Sequence, residues 1–593
     1  MYEKAQNMEE ELAAMAEEKK VRVLEIDLTG KKVQVHERAD LAPYLGGIGL
    51  AAKLFTEYAD YSKDALDPVQ PVVLACGPLS TIFPMVTKAV AVFRSPLTGE
   101  WGESYAGMRI ALAMRLSGYQ AIVLRGQAGS PTYLTIGPNG IKFKDASALW
   151  GLTTDEVGRI LRQLVPGGGF RTCLRIGPAG EKRVSFANVN VDTYRHFGRL
   201  GLGAVFGAKQ LKAVVIYGDR GEPVPDPKRY REVYDRIYQT AVNTDIMEKY
   251  HGLGTSVNVA ILNGLGSLPT KNLAESSFDH AEDISGEAFA RDSLVRKVAC
   301  SGCPVGCIHI GVRRRLFGPG HDYESSFLSY DHELIFALGS FLGITAQERI
   351  YDLIEAVELA GLDAISAGVL LGWLTDAQNQ GIISKEELGT ELAFDHVEGY
   401  LKVLDNLVLQ PNDLYRTLSG GTYRAAEKLG GREYAVTLGK NEIAGYHTGY
   451  ANILGLSFGA RHSHLDNGGY SVDQKAARFH YSDEQVANEL ISEEKWRNVL
   501  NSLCICLFAR EVYNRENIID ALASVGIEMA GEDLDKLGED IFRLKNEARA
   551  GLGFKPEEIH VPGRMFETPA LSKKLDKEKF AEMAALYRSK AGI

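Results

Sequence analysis

The residues that most plainly could do chemistry are cysteines. Cys300-Ser-Gly-Cys303-Pro-Val-Gly-Cys307 spaces three thiols as C-x2-C-x3-C, so one short turn can set three thiolates at three corners of a compact inorganic core. A fourth ligand must come from elsewhere, and Asn501-Ser-Leu-Cys504-Ile-Cys506 offers two candidates. These lie two residues apart, sharing a face if the segment is extended and diverging by about 160° if it is helical, which does not choose between them. A four-cysteine zinc site normally draws on two C-x2-C-like pairs, so three plus one favours a [4Fe–4S] cluster. Gly302 and Pro304 suit a chain that wraps closely around such a core and turns backbone N–H groups toward its sulfurs. Cys76 and Cys173 stand alone in apolar surroundings and read as core residues.

A chain of 593 residues is too long for one core and predicts three or four domains or subdomains, enough to bury a large cofactor. With 45% hydrophobic and 24% charged residues it is neither disordered nor fibrous. A net charge of −11 argues against a nucleic-acid partner, because binding phosphates needs a surplus of Lys and Arg. The first residues carry no basic region followed by an apolar run, and no apolar run approaches the ~18 residues of a membrane span. A cytoplasmic location with reduced thiols is therefore expected. Residues 1–20 read as a charged, helix-prone arm. Val21 to Leu28, Lys32 to His36, Pro71 to Ala75, Ala89 to Phe93, Ala121 to Arg125, Tyr133 to Ile136 and Leu211 to Tyr217 read as strands between Gly- and Pro-rich turns. After Pro223 the pattern changes to amphipathic helices, among them Lys228 to Lys249, Ala346 to Ala360, Val369 to Gln380 and Glu516 to Ala530. The fold class is α+β, a β-rich first half followed by mostly helical structure.

Several motifs follow one another in a recognisable order: Tyr44-Leu-Gly-Gly47-Ile-Gly49-Leu-Ala-Ala-Lys53, Arg94-Ser-Pro96-Leu-Thr-Gly99, Ile176-Gly-Pro-Ala-Gly-Glu181 and Gly198-Arg199-Leu-Gly-Leu-Gly203-Ala-Val-Phe-Gly207. Then come Gly266-Ser-Leu-Pro269-Thr270, the cysteine run, Gly361-Leu-Asp363-Ala-Ile-Ser366-Ala-Gly368 and Cys506-Leu-Phe508. In these motifs, over nearly its whole length, the chain resembles the tungsten-containing aldehyde:ferredoxin oxidoreductases. The resemblance implies a β-rich bis-pterin domain over residues 1–220, a helical domain over 221–430 with the cysteine run, and a helical domain over 431–593 with the fourth cluster cysteine. It implies tungsten held by two molybdopterins, Mg2+ bridging their phosphates, and a [4Fe–4S] cluster. The family's repeated D-x-x-G-L-C/D motif falls on Glu358-Leu-Ala-Gly361-Leu-Asp363 and on Asn501-Ser-Leu-Cys504-Ile-Cys506, and this alignment selects Cys506 beside Cys300, Cys303 and Cys307. Lys88, Tyr105, Gly107, Arg195 and Arg199 align with pterin contacts, mainly to phosphate, and His196 with the magnesium region. Lys88, Tyr105, Ile48 and Cys504 replace the family's Arg, Asn, Arg and Gly.

For proton transfer the resemblance points to Ser329-Tyr330-Asp331-His332-Glu333, with Glu333 as general acid/base and Asp331 beside it, and to Gly459-Ala-Arg461-His462, with His462 near the metal. His464 and His447 are the weaker alternatives, and Asp322-Tyr-Glu324 imitates the acidic motif. The implied reaction is oxidation of an aldehyde to a carboxylic acid, with electrons leaving to ferredoxin or a ferredoxin-like subunit of a homo- or hetero-oligomer. The segments 501–510 and 330–339 also resemble the tungsten subunit of class II benzoyl-CoA reductases, which implies instead reduction of an aromatic acyl-CoA. A third possibility from another class is a non-catalytic assembly subunit whose cysteines hold zinc.

Overall fold

The computed structural model describes residues 20–138, 140–165, 170–221, 224–245, 247–320 and 322–593. Of the N-terminal arm only Lys20 falls within them, and Pro223 lies outside. The first half is built from two six-stranded sheets. The first contains β1 (Val21–Asp27), β2 (Lys32–Arg38), β3 (Val72–Cys76), β4 (Ala89–Arg94), β5 (Trp101–Ala106) and β6 (Ala121–Arg125), in the order β2-β1-β6-β3-β4-β5. The second contains β7 (Thr132–Gly137), β8 (Gly140–Asp145), β9 (Arg171–Arg175), β10 (Val189–Val191), β11 (Arg195–Phe197) and β12 (Leu211–Tyr217), in the order β11-β10-β9-β12-β7-β8. β3 reads Val-Val-Leu-Ala-Cys without alternation because both its faces are buried. Leu24, Ile26, Val72 and Leu74 share one core with Leu174, Val214 and Ile216 of the second sheet. On the other face of the first sheet, helix α1 (Gly47–Tyr58) lays Leu50, Ala51, Leu54 and Phe55 against Val73, Ala75, Val90 and Val92.

The remainder is largely helical. The helices that matter to the site are α2 (His332–Leu338), α3 (Gln347–Ala360), α4 (Ala364–Asn379), α5 (Asp483–Ser502) and α6 (Gly531–Gly551). Two expected helices are shorter than their periodicity suggests: one ends at Val242, and the other ends at Ser524, just before Gly526 takes a φ of +73°. The segments flanking the cysteine run depart from the helical expectation. They form a three-stranded antiparallel sheet of β13 (Leu294–Val298), β14 (Ile308–Gly318) and β15 (Asp322–Tyr330) in sequence order. The Arg313-Arg-Arg run and the serines of β15 hide the two-residue period that would announce these strands. One face of the β14/β15 ribbon sends Leu328 and Tyr330 into the helical core, and Arg313 and Arg315 of that face each stand 3.2 Å from Glu355 of α3. The opposite face, at its root, packs Ile308 and Ile310 with Cys300, Cys303 and Cys307. Among the described residues no helix is long and apolar enough to cross a membrane.

Candidate functional site

The cysteine run is a turn made possible by two glycines: Gly302 and Gly306 both have positive φ, +76° and +61°. The segment around Met85 ties this run to the C-terminal cysteines. Its N–H donates to Gly302 O at 3.0 Å, and its carbonyl accepts from Cys506 N at 3.0 Å. Met108 N donates to Cys300 Sγ at 3.2 Å, while Ser301 N donates to Met108 O at 3.0 Å. Burial pushes the Cys303 thiol up to about 12, with Cys506, Cys300 and Cys307 adding to the rise. Burial likewise raises Cys307. Cys504 goes elsewhere. It is buried and feels Cys76 and the Gly77 N–H, and its carbonyl accepts from Lys88 N at 3.2 Å.

Two cations lie against the thiols. Burial works to lower the Lys88 ammonium, but the charges of Cys506, Cys300 and Cys307 leave it raised. Burial works on Arg195 in the same way and is overcome by Cys307, Cys300 and Asp331. Arg195 thus meets the Cys307 thiol and also feels the charge of Asp331. Gly107 closes this wall: a Cβ there would stand 2.7 Å from Cys300 Sγ and 3.2 Å from Lys88 Nζ. The thiols of Cys300, Cys307 and Cys506 beside two buried cations, with Cys303 among them, fit an anionic iron–sulfur core.

The two copies of the repeated motif have the same backbone. In the first, α3 ends in Gly361 at φ +76°, with Leu362 N donating to Val357 O at 2.9 Å. In the second, α5 ends in Cys504 at φ +59°, with Ile505 N donating to Leu500 O at 3.0 Å. Both are left-handed helix caps with the long closing bond of a Schellman turn, and Cys504 holds the place of Gly361. Around the first copy, Glu358 Oε2 meets His196 Nε2 at 2.8 Å and accepts from Asn190 Nδ2 at 3.3 Å. Asp363 caps α4 and accepts from Arg199 Nε at 3.1 Å. Arg199 Nη2 donates to Asn441 Oδ1 at 2.9 Å and to Glu442 O at 2.8 Å, leaving Nη1 buried with no partner among the described residues. Asn188 Oδ1 and Asn190 Oδ1 are buried in the same unsatisfied state. Orphaned buried donors and acceptors are costly unless a ligand completes them, so these residues fit a phosphate-bearing, metal-bridged cofactor. Asn501 lies in the last turn of α5, where its carbonyl accepts from Cys504 N at 3.2 Å. Tyr105 is turned away from this cradle, its hydroxyl donating to Glu103 at 2.7 Å and its ring lying under Arg461 at 4.9 Å.

Glu333 occupies the first turn of α2, and Asp331 caps that helix, accepting from Leu334 N at 3.2 Å. Burial, then the neighbouring Glu333 charge, raise Asp331 to about 6. Burial also raises Glu333, opposed by the Tyr446 hydroxyl, which donates to its Oε1 at 3.1 Å, and by Arg195 and Thr255. Its side chain keeps 22% exposure, so this deeply set carboxyl borders open space. The imidazole beside it is His464, with Nε2 at 3.6 Å from Glu333 Oε1. Burial, then the charges of Arg199, Arg461 and Arg497, hold His464 well below the ordinary histidine range, so it is neutral, and its Nδ1 has no partner among the described residues. Tyr446 stacks on Tyr470 with centroids 4.3 Å apart, and Tyr470 helps line a cavity with Arg497 and Arg510.

His462 does not join this group. Its left-handed φ of +54° turns the ring inward, with Nδ1 at 3.0 Å from Leu456 O and Nε2 at 3.3 Å from Glu100. There it helps hold Glu100 at about 2 against the cost of burial. His447 is a core residue bonded to Thr568 O at 2.9 Å. Tyr446 and Tyr470 carry no motif in the sequence and emerge only from the fold.

Comparison with known proteins adds an independent set of findings. A family model for the aldehyde ferredoxin oxidoreductase N-terminal domain matches residues 23–218, and one for domains 2 and 3 of the same family matches residues 231–592. The tungsten-containing aldehyde ferredoxin oxidoreductase of Thermococcus kodakarensis is 31% identical over 573 residues, covering 92% of this chain and 91% of that one. The protein of the same name from Pyrococcus furiosus is 31% identical over 560 residues, covering 91% and 89%. The WOR-like subunit of an aliphatic sulfonate oxidoreductase from Pyrococcus furiosus is 30% identical over 466 residues, covering 74% and 70%. Among solved structures, a chain of the active site complex BamBC of benzoyl coenzyme A reductase, in complex with 1,5 dienoyl-CoA, superposes with a TM-score of 0.80 at 20% identity, covering 96% of this chain and 94% of that chain. That likeness shows a shared fold.

Proposed function

Since the chain belongs to the aldehyde ferredoxin oxidoreductase family and is an oxidoreductase, we propose that it takes RCHO and H2O to RCOOH, two protons and two electrons in a tungsten bis-pterin site. When bound, the tungsten and its pterins supply the two-electron oxidation and a [4Fe–4S] cluster the one-electron exit toward ferredoxin or a ferredoxin-like subunit. Cys300, Cys303, Cys307 and Cys506 would hold the cluster, with Lys88 and Arg195 offsetting its negative charge. Arg199 Nη1, with Asn188 and Asn190, would receive phosphate and the bridging Mg2+ near His196 and Glu358. The Gly361 and Cys504 turns would each meet one pterin.

Glu333 takes the proton from the attacking water, and the Tyr446 hydroxyl fixes the carboxylate's orientation. Neutral His464 takes over from His462 as the proposed imidazole, because it can accept a hydrogen bond beside Glu333 without adding charge. The cavity at Tyr470 would admit the substrate. The observation that carries this reading is Arg195, a buried cation that feels the charges of Cys307 and Cys300 and of the Asp331/Glu333 pair, so that an electron exit and a proton acceptor share one electrostatic neighbourhood.

The test is anaerobic purification with metal analysis, followed by viologen-linked assays on aldehydes and aromatic acyl-CoA thioesters. Tungsten, iron and aldehyde turnover are expected. Turnover of the thioesters alone would move the reaction to ring reduction, and zinc without iron or tungsten would overturn both enzyme readings.

A further inference from the structure

Among the described residues, the β14/β15 ribbon has an outer face with exposed side chains. Residues paired directly across antiparallel strands share a face, which puts Val312 with Phe327, Arg314 with Ser325, and Leu316 with Tyr323 on one side. Leu316 is 59% exposed and Phe327 52%. Strand alternation sets Ile308 and Ile310 on this same face, and these two pack against Cys300, Cys303 and Cys307. The face is therefore continuous, sealed over the thiols at its root and open to solvent beyond. Val312 lies two residues past Ile310, about 7 Å along the strand. β13 adds Arg296, which pairs with Ile310 and therefore shares its face, and whose guanidinium donates to Tyr194 at 2.9 Å.

The charge on this face has one sign. Arg296 and Arg314 belong to it, while Glu324 and the ion pairs to Glu355 belong to the other side. Two arginines among exposed aliphatic and aromatic side chains stand out in a chain whose net charge is −11. Contiguous exposed apolar surface of this kind marks an interaction site, and its charge selects an acidic partner.

We propose that this ribbon face is the docking platform for an acidic, ferredoxin-like iron–sulfur carrier, which would sit over Val312 and Phe327 at the edge of the thiol site. The inference rests on the proposed cluster and redox function, and the experiment keeps the two separable. Metal-replete holoenzyme and its Leu316→Asp, Phe327→Asp and Arg314→Glu variants are assayed with a viologen dye and with an acidic two-cluster ferredoxin, and ferredoxin binding is measured by calorimetry. The variants should keep iron content and dye-linked rates, while KM and Kd for ferredoxin rise on the order of tenfold and lose salt dependence in Arg314→Glu. Unchanged ferredoxin KM and Kd with intact dye activity would overturn the platform. So would variants that change the enzyme's own oligomeric state in sedimentation and leave ferredoxin transfer untouched. A wild-type enzyme with neither iron nor dye-linked turnover would instead defeat the underlying redox reading.

Discussion

At Glu333 two influences oppose each other. Burial favours the neutral acid, while Tyr446, Arg195 and Thr255 favour the carboxylate, and a carboxyl raised above its ordinary range by burial is suited to proton transfer. Glu333→Gln should therefore keep iron and tungsten but lower turnover on the order of a hundredfold or more, measured on metal-replete protein. Near-normal turnover would remove Glu333 from the mechanism. Asp331, raised to about 6, titrates together with Glu333 as a coupled pair. The base must be ionised, and burial raises Glu333, so kcat/KM should fall on the acid side at a pH above the ordinary glutamate range. Asp331→Asn keeps a good helix cap and removes a like charge, which lowers the pKa of the remaining carboxyl, so the acid limb should move to lower pH. A limb that stays in place would show that the two carboxyls do not interact. The sequence could place Glu333 by motif, but not the choice between His462 and His464. That choice depends on a left-handed residue, and a positive φ at a non-glycine leaves no mark in composition.

At the scale of elements, the two Schellman turns decide what residue spacing could not. Counting from Cys504 to Cys506 leaves open which thiol faces the cysteine run, whereas the left-handed turn at Cys504 directs its own side chain toward Cys76 and hands Cys506 to the Met85 segment. Cys506→Ala should accordingly lose most cluster iron by elemental analysis, and Cys504→Ala should retain it; the reverse pattern would exchange their roles. Gly47 opens α1 beneath the second turn at φ +41°, where a Cβ would stand 2.1 Å from Asn501 O and 2.9 Å from Cys504 Sγ. Gly47→Ala should thus lower Tm, since the backbone it meets cannot swing aside and the left-handed φ alone costs on the order of 1–3 kcal/mol. A Tm equal to wild type would mean that the α5 turn can shift.

For the whole molecule, the thiol site joins segments that are remote along the chain: residues 85–108, the cysteine run and Cys506. Without the cluster, burial raises the thiols of Cys303, up to about 12, and of Cys307, and leaves the cations Lys88 and Arg195 buried beside the site. Iron-depleted protein should therefore show a lower Tm by calorimetry than replete protein, and equal values would contradict a cluster that braces the fold. The sheets of the first half were legible because β3, β6 and β12 are almost unbroken runs of apolar residues buried on both faces. The β14/β15 ribbon was not, because arginines and serines interrupt its alternation and its pairing is long-range. Remote joining also has a consequence for synthesis. Chains emerge and fold from the N-terminus, so three of the proposed ligands leave the ribosome long before Cys506 does. A growing chain would carry an incomplete, reactive thiol nest through most of α2 to α5. Cluster insertion would then be a late, post-translational event, and the cell would need to keep those early thiols from stray metals and oxidants until the last part of the chain arrives.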